Sequence, residues 1–151
     1  MIGWLGTEGR VGSSARIRAS IGLGLRLTKL TELEVHGAVG PAFAEPDLLA
    51  SNGPMVLGIE AGLRVFTRDI RLVLWSPWIE AFGGADFRLP GVDPGIGLRA
   101  GVTWNFSADI ALDGSLGGMF VVYRAFDPQD RSAVGGASGG LRIEARFGGG
   151  R

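Results

Sequence analysis

The chain has 151 residues, enough for one domain built on a single core or a single small barrel. Its 15 basic and 15 acidic side chains cancel, so no basic field points to nucleic acid and no acidic tail points to a solvating role. Cysteine is absent, which removes disulfide frameworks, thiolate zinc sites and cysteine nucleophiles; and although 46% of residues are hydrophobic, Arg, Glu or Gly interrupt every apolar run short of the roughly 18 to 20 residues of a spanning helix.

Residues Met1 to Ser14 contain Glu8 and Arg10 and lack an apolar stretch of roughly 7 to 15 residues, so no export signal stands there. They read as a loop or the remnant of a first strand with Trp4 at its outer rim, most of that strand lying upstream. The next segment, Ala15 to Leu27, alternates with period two: Ile17, Ala19, Ile21, Leu23, Leu25 and Leu27 on one face, Arg16, Arg18, Ser20, Gly22, Gly24 and Arg26 on the other. A tight turn, Thr28 to Leu30, leads to Thr31 to Phe43, with Leu33, Val35, Gly37 and Val39 opposite Glu32, Glu34 and His36. After a longer loop, Ala44 to Pro54, the segment Met55 to Phe66 places Leu57, Ile59, Ala61 and Leu63 opposite Glu60 and Arg64.

A tight turn around Thr67 to Asp69 precedes Trp75 to Phe87, with Ile79, Ala81, Gly83 and Ala85 opposite Glu80 and Asp86. The Pro90, Gly91, Asp93 and Pro94 group then reads as the tip of a loop from Arg88 to Pro94, as Asn52, Gly53 and Pro54 do in the earlier loop. Gly95 to Phe106 sets Leu98, Ala100, Val102 and Trp104 against Arg99, and Ser107 to Asp109 turns tightly into Ile110 to Tyr123, where Leu112, Gly114, Leu116 and Gly118 oppose Asp113. Beyond a loop from Arg124 to Ser132, the segment Ala133 to Phe147 carries Leu141, Ile143, Ala145 and Phe147 against Arg142, Glu144 and Arg146, and Gly148 to Arg151 form a flexible tail.

Most of these runs match the roughly 9 to 11 residues with which a tilted strand crosses a bilayer, and tight turns alternate with longer loops. The uncharged faces carry no ionisable group, whereas Arg16, Arg18, Arg26, Arg64, Arg99, Arg142 and Arg146 share the opposite faces with Glu32, Glu34, His36, Glu60, Glu80, Asp86, Asp113 and Glu144. That is the composition of a lumen of paired charges inside an antiparallel transmembrane β-barrel. The 27 glycines, many inside the alternating runs, give crowded inward side chains room and let strands curve. Aromatics gather at two rims, Phe66, Trp75, Trp78, Trp104, Phe106 and Phe147 near the turns and Phe43, Phe87, Phe120 and Tyr123 near the loops, as membrane-interface girdles. A soluble ligand-binding barrel also alternates faces, but its outer polar face favours Lys, Thr, Ser and Gln, and Lys29 is the only lysine here.

The chain resembles the small bacterial outer-membrane barrels of the OmpA, OmpX and OmpW types. The last strand carries the local resemblance: in that superfamily it serves as an insertion signal spaced like Gly140, Ile143, Ala145 and Phe147, although Gly148 to Arg151 extend past the usual terminal aromatic. The resemblance implies an up-and-down barrel of nominally eight strands, a Gram-negative outer-membrane location, and handling by the barrel-insertion machinery through the C-terminal strand. Such barrels have even strand numbers and only seven are apparent, so the resemblance leaves Met1 to Ser14 as the end of a first strand followed by the first long loop.

Chemistry is sparse. His36 beside Glu34, with Ser20 on the neighbouring strand, has the makings of an activated nucleophile, but a lone imidazole in a polar lumen reads first as a member of its hydrogen-bonded network. Glu60, Glu80 and Asp86 are expected to neutralise Arg64, Arg99 and Arg142. The loop acids Glu45, Asp47, Asp127 and Asp130 match no EF-hand or zinc spacing, and no glycine cluster forms a phosphate or dinucleotide loop, so neither metal nor cofactor is expected. The sequence therefore predicts a monomeric, non-enzymatic barrel with a structural or surface-interaction role, the alternatives being a narrow porin-like pore for small solutes, a barrel hydrolase or acyltransferase using His36, and the soluble ligand-binding barrel.

Overall fold

Successive side chains of a strand point to opposite faces, and in the computed structural model, which describes residues 1–11, 14–44, 55–88, 91–123 and 132–147, every alternating segment is a strand. They are β1 (Ile2–Val11), β2 (Ser14–Arg26), β3 (Thr31–Ala44), β4 (Met55–Phe66), β5 (Trp75–Arg88), β6 (Gly91–Asn105), β7 (Ile110–Tyr123) and β8 (Ser132–Arg146). Each pairs antiparallel with the next, and β1 pairs with β8 to close the barrel. The segment expected as a loop or strand remnant is thus a ten-residue strand, bonded along its whole length to β2 on one side and β8 on the other. Trp4 does not sit at an outer rim; it shares the inward face with Glu8 and Arg10 and is buried.

Among the described residues the outer face of the strands is uncharged and mostly apolar. Leu98 and Ile21 are 68% and 66% exposed, and the same face carries Leu23, Leu57, Ile79, Leu116 and Ile143. The buried face holds Arg18, Glu34, Arg64, Glu80, Asp113 and Glu144. A soluble barrel buries its apolar face and wets its polar one, so this inverted arrangement sets the soluble ligand-binding reading aside. Strands of up to 15 residues are long enough to cross a bilayer when tilted.

Several expectations need correction. Phe66 and Trp78, placed in the girdle by their nearness to a strand end, are each 2% exposed and lie inside. Their parity is that of Arg64 and Glu80, and the lumen uses them: Trp78 Nε1 donates to Asp113 Oδ2 at 2.9 Å, and its ring lies under the Arg64 guanidinium. Trp75, Phe87, Trp104, Phe106, Phe120 and Phe147 are exposed on the outside, while the side chains of Phe43, Tyr123 and Arg16 fall outside the described residues. Gly91, Asp93 and Pro94 are not a loop tip. They extend β6, with Asp93 opposite Asp86 and buried. The expected loops at 45–54 and 124–131, with their acidic and turn residues, lie outside the described residues.

The connection after β4 is not a tight turn either. It runs over 67–74 and folds back so that Ile70 packs between Phe66 and Trp78 at this end of the barrel. Asn105 Nδ2 fastens it, donating to the carbonyls of Ile70 and Val73 at 2.7 Å each, and Ser76 Oγ donates to the Arg68 carbonyl at 3.1 Å. These bonds satisfy backbone groups that the excursion would otherwise leave unpaired. A second apolar cluster, Phe82, Met119 and Val121, lies toward the other end.

Inward glycines face the largest side chains. A Cβ at Gly22 would stand 2.6 Å from Cβ of His36 and 2.6 Å from Trp4 Cε2, closer than packed carbon atoms approach. Gly22→Val is therefore expected to destabilise the barrel by about 2 kcal/mol through overpacking, measured as a lower urea midpoint for the folded band in lipid vesicles.

Candidate functional site in the barrel lumen

The register that closes the barrel sets opposite charges directly across from one another. Glu8 faces Arg18, Glu32 faces both Arg26 and Arg64, Arg64 faces Glu80, Glu80 faces Arg99, and Asp113 faces Arg142. Such cross-strand partners stand close enough for their side chains to meet. The lumen is narrow enough that arginines also reach strands across from their own.

Toward the tight-turn end the network centres on Arg64, which is fully buried. Its Nη2 lies 3.0 Å from Glu34 and 3.3 Å from Glu80, and its Nη1 3.3 Å from both Asp113 and Glu144. The guanidinium lies over the Trp78 ring, 3.8 Å from its centroid. Arg142 forks Glu34 with bonds of 2.7 and 2.8 Å and sits over Trp4, and Arg99 forks Glu80 with bonds of 3.1 and 2.8 Å and sits over Phe82. Thr103 Oγ1 donates to Asp113 at 2.6 Å. Arg26 and Arg146 extend the network to the rim through Glu32 and Glu144.

Nearer the other end, Arg10 and Arg18 both reach Glu8, Glu60 and Asp86. His36 Nε2 lies 3.3 Å from Glu60 and 3.6 Å from Glu8, with its ring 5.0 Å from that of Trp4. Glu80 thus pairs with Arg64 and Arg99 as the sequence suggests, and Glu60 reaches Arg99 as well as Arg10 and Arg18, whereas Asp86 serves Arg10 and Arg18 and Arg142 belongs to Glu34 and Asp113. Glu8, Arg10 and Asp93 are lumen charges that the sequence reading did not include, though Glu8 and Arg10 carry the signal of shared parity opposite Leu5 and Val11.

Two kinds of chemistry can be weighed on this geometry. For a nucleophile, His36 needs a hydroxyl and an orienting carboxylate. Glu34 is taken by arginines, and among the described residues no serine hydroxyl lies within hydrogen-bond reach of His36. For a metal, Glu8, His36 and Glu60 present ligand atoms within 4.8 Å of one another. Arg10 and Arg18 already contact both carboxylates, and Arg99 Nη1 lies 3.8 Å from Glu60. A divalent cation there would have to displace guanidiniums or sit against them, which Coulomb repulsion between buried cations opposes. What the arrangement does is fill the barrel. Cavities of only about 20 and 10 Å³ lie among the lumen side chains, one beside Trp4, Glu8 and Arg142 and one beside Phe82, Asp86 and Asp93.

An all-antiparallel, eight-stranded, up-and-down barrel with an apolar exterior and an ion-paired interior is the architecture of outer-membrane barrels. No protein-family model and no curated protein matches the sequence. Among solved structures the chain is similar to Neisserial surface protein A (NspA), with a TM-score of 0.68 and 12% identity over 97% of this chain and 96% of that one. It is also similar to the N-terminal β-barrel domain of Pseudomonas aeruginosa OprF, at TM-score 0.47 and 16% identity over 93% and 96%, and to the outer membrane enzyme PagL, at 0.47 and 16% over 94% and 99%. At these identities the likeness is one of fold, and it rests on NspA.

Removing the central cation tests the network directly. Arg64→Ala leaves Glu34, Glu80, Asp113 and Glu144 facing one another in a buried site and is expected to cost about 4 kcal/mol, the scale of an orphaned buried charge partner. The loss is read as the shift in urea midpoint between Arg64→Ala and the parent chain in the same vesicles.

Proposed function

We propose that this chain is a monomeric outer-membrane barrel with a structural or surface-interaction role, closed to solutes and without catalysis. The observation that carries the reading is the lumen itself: Arg64 and Arg18, both fully buried, tie carboxylates from different strands together across the interior. Ile70 packs below this network. Supporting the location are the apolar belt, the NspA-like fold and the spacing of Gly140, Ile143, Ala145 and Phe147 in β8, which suits handling by the barrel-insertion machinery. His36 Nε2 lies between the Glu8 and Glu60 carboxylates, and among the described residues no serine hydroxyl is within its reach, which favours a non-enzymatic barrel.

Planar-bilayer recording decides between a closed and a conducting lumen. Protein refolded into lipid and shown to migrate faster unboiled than boiled on a denaturing gel is expected to give no discrete conductance steps. Reproducible steps from that folded material would replace this reading with a narrow pore. Ester or acyl-chain hydrolysis lost in His36→Ala would replace it with an enzyme.

A further inference from the structure

The excursion at 67–74 leaves features that the lumen does not use. While Ile70 turns inward, Leu72 and Leu74 are 81% and 70% exposed. The segment that displays them is braced by Asn105, by the Leu72 amide donating to the Asp69 carbonyl at 3.0 Å, and by the Asn105 amide donating to the Leu74 carbonyl at 2.7 Å. Their exposure is built into the turn. Leu74 runs directly into Trp75, which pairs in register with Trp104, and both tryptophans lie on the lipid-facing side with Phe106 beyond them. The apolar belt therefore continues past the strand ends onto this turn.

Cations outnumber acids around it, Arg68, Arg71 and Lys29 against Asp69 and Asp109. Arg68 lies over the Trp75 ring, 5.2 Å from its centroid, and neither Arg68 nor Lys29 has a carboxylate within ion-pair distance among the described residues. Lys29 sits on the adjoining turn, tied to β4 by the Phe66 amide donating to the Leu30 carbonyl at 2.7 Å. Asp69 is occupied. Arg71 binds it through Nε and Nη2 at 3.2 Å each, and that hydrogen bonding holds the Asp69 carboxyl below the usual carboxylate range, so this acid stays ionised and paired at neutral pH. Asp109, on the neighbouring turn, is the opposing charge.

We infer that the 67–74 turn is an interfacial foot: Leu72 and Leu74 enter the acyl boundary of the phospholipid leaflet on the tight-turn side, while Arg68 and Lys29 bind its anionic headgroup phosphates. Leucines lose water contact there, arginine on tryptophan is placed at headgroup depth, and cations meet lipid phosphate. The inference rests on the barrel spanning a membrane, and its test separates the two claims.

The chain has no cysteine, so Leu72→Cys can carry a single environment-sensitive fluorophore, with Leu74→Cys as a second position and Leu98→Cys as the belt control. Each labelled protein is refolded into phosphatidylcholine vesicles containing phosphatidylglycerol and checked for the gel shift of a folded barrel. Emission from position 72 is expected to be blue-shifted and quenched by lipids brominated near the ester carbonyl. Brominated phosphatidylglycerol is expected to associate about fivefold more strongly than brominated phosphatidylcholine for each cation engaged, a preference lost in Arg68→Gln with Lys29→Gln. Water-like emission at 72 and 74 beside a lipid-quenched label at 98 overturns the foot and leaves the membrane barrel standing. Equal quenching by the two lipids overturns the headgroup assignment. Water-like emission at 98 as well overturns the membrane reading and the foot with it.

Discussion

In hydrocarbon there is no water to pair with a free sheet edge, and each unsatisfied backbone group costs several kcal/mol. That constraint makes the β1–β8 pairing the bond set on which the rest of the structure depends. Ten consecutive register pairs, from Ile2 opposite Arg146 to Val11 opposite Ala137, remove both edges at once. Closing eight strands also fixes a small interior. Inward side chains then meet across the lumen whether or not they are neighbours in sequence, and a chain whose inward residues are Arg, Glu and Asp must match them in sign.

The charge network is better understood as a register device than as a source of net stability. Buried ion pairs give back in desolvation much of what they gain in attraction. Misplacement, however, has a definite cost. Because the side-chain period is two, a slip of one residue in β4 would turn Glu60 and Arg64 toward lipid and Leu63 and Val65 toward the lumen. One arginine at the midplane on the lipid face costs about 2 to 4 kcal/mol, and each strand carries an inward arginine or a carboxylate paired to one, the carboxylates being Glu34 on β3, Glu80 and Asp86 on β5 and Asp113 on β7. The glycines follow from the same geometry. Gly22 is small because Trp4 and His36 fill the space in front of it, and Gly97 is small because the Phe82 ring lies 2.5 Å from where its Cβ would be.

What the sequence revealed and what it concealed divide along this line. Alternation assigns a face, so the lipid and lumen sides of β2 to β8 were readable from parity. β1 was obscured because Gly3, Gly6, Thr7 and Gly9 dilute its apolar signal, although Glu8 and Arg10 oppose Leu5 and Val11 as any other strand would. Phe66 and Trp78 show that parity outranks nearness to a strand end, since both share the inward face of Arg64 and Glu80. Asp93 was hidden because an aspartate between Gly91 and Pro94 looks like turn chemistry. Partner choice lay further out of reach: the forked Arg142 and Glu34 pair spans 108 residues, and no local pattern specifies which carboxylate a lumen arginine will meet.

An interior completed in this way also limits where function can reside. Arg10, Arg18, Arg64, Arg99 and Arg142 each hold carboxylates within the barrel, and the carboxylates around His36 hold arginines, so most of the charge of the lumen is engaged within itself. At the tight-turn end Ile70, Phe66 and Trp78 add an apolar cluster, and Asn105 holds the turn that carries Ile70. Among the described residues the large exposed side chains are on the outer belt and the rims, where the partner nearest to hand is lipid. A fold that carries its charges inside leaves its apolar outside to the membrane.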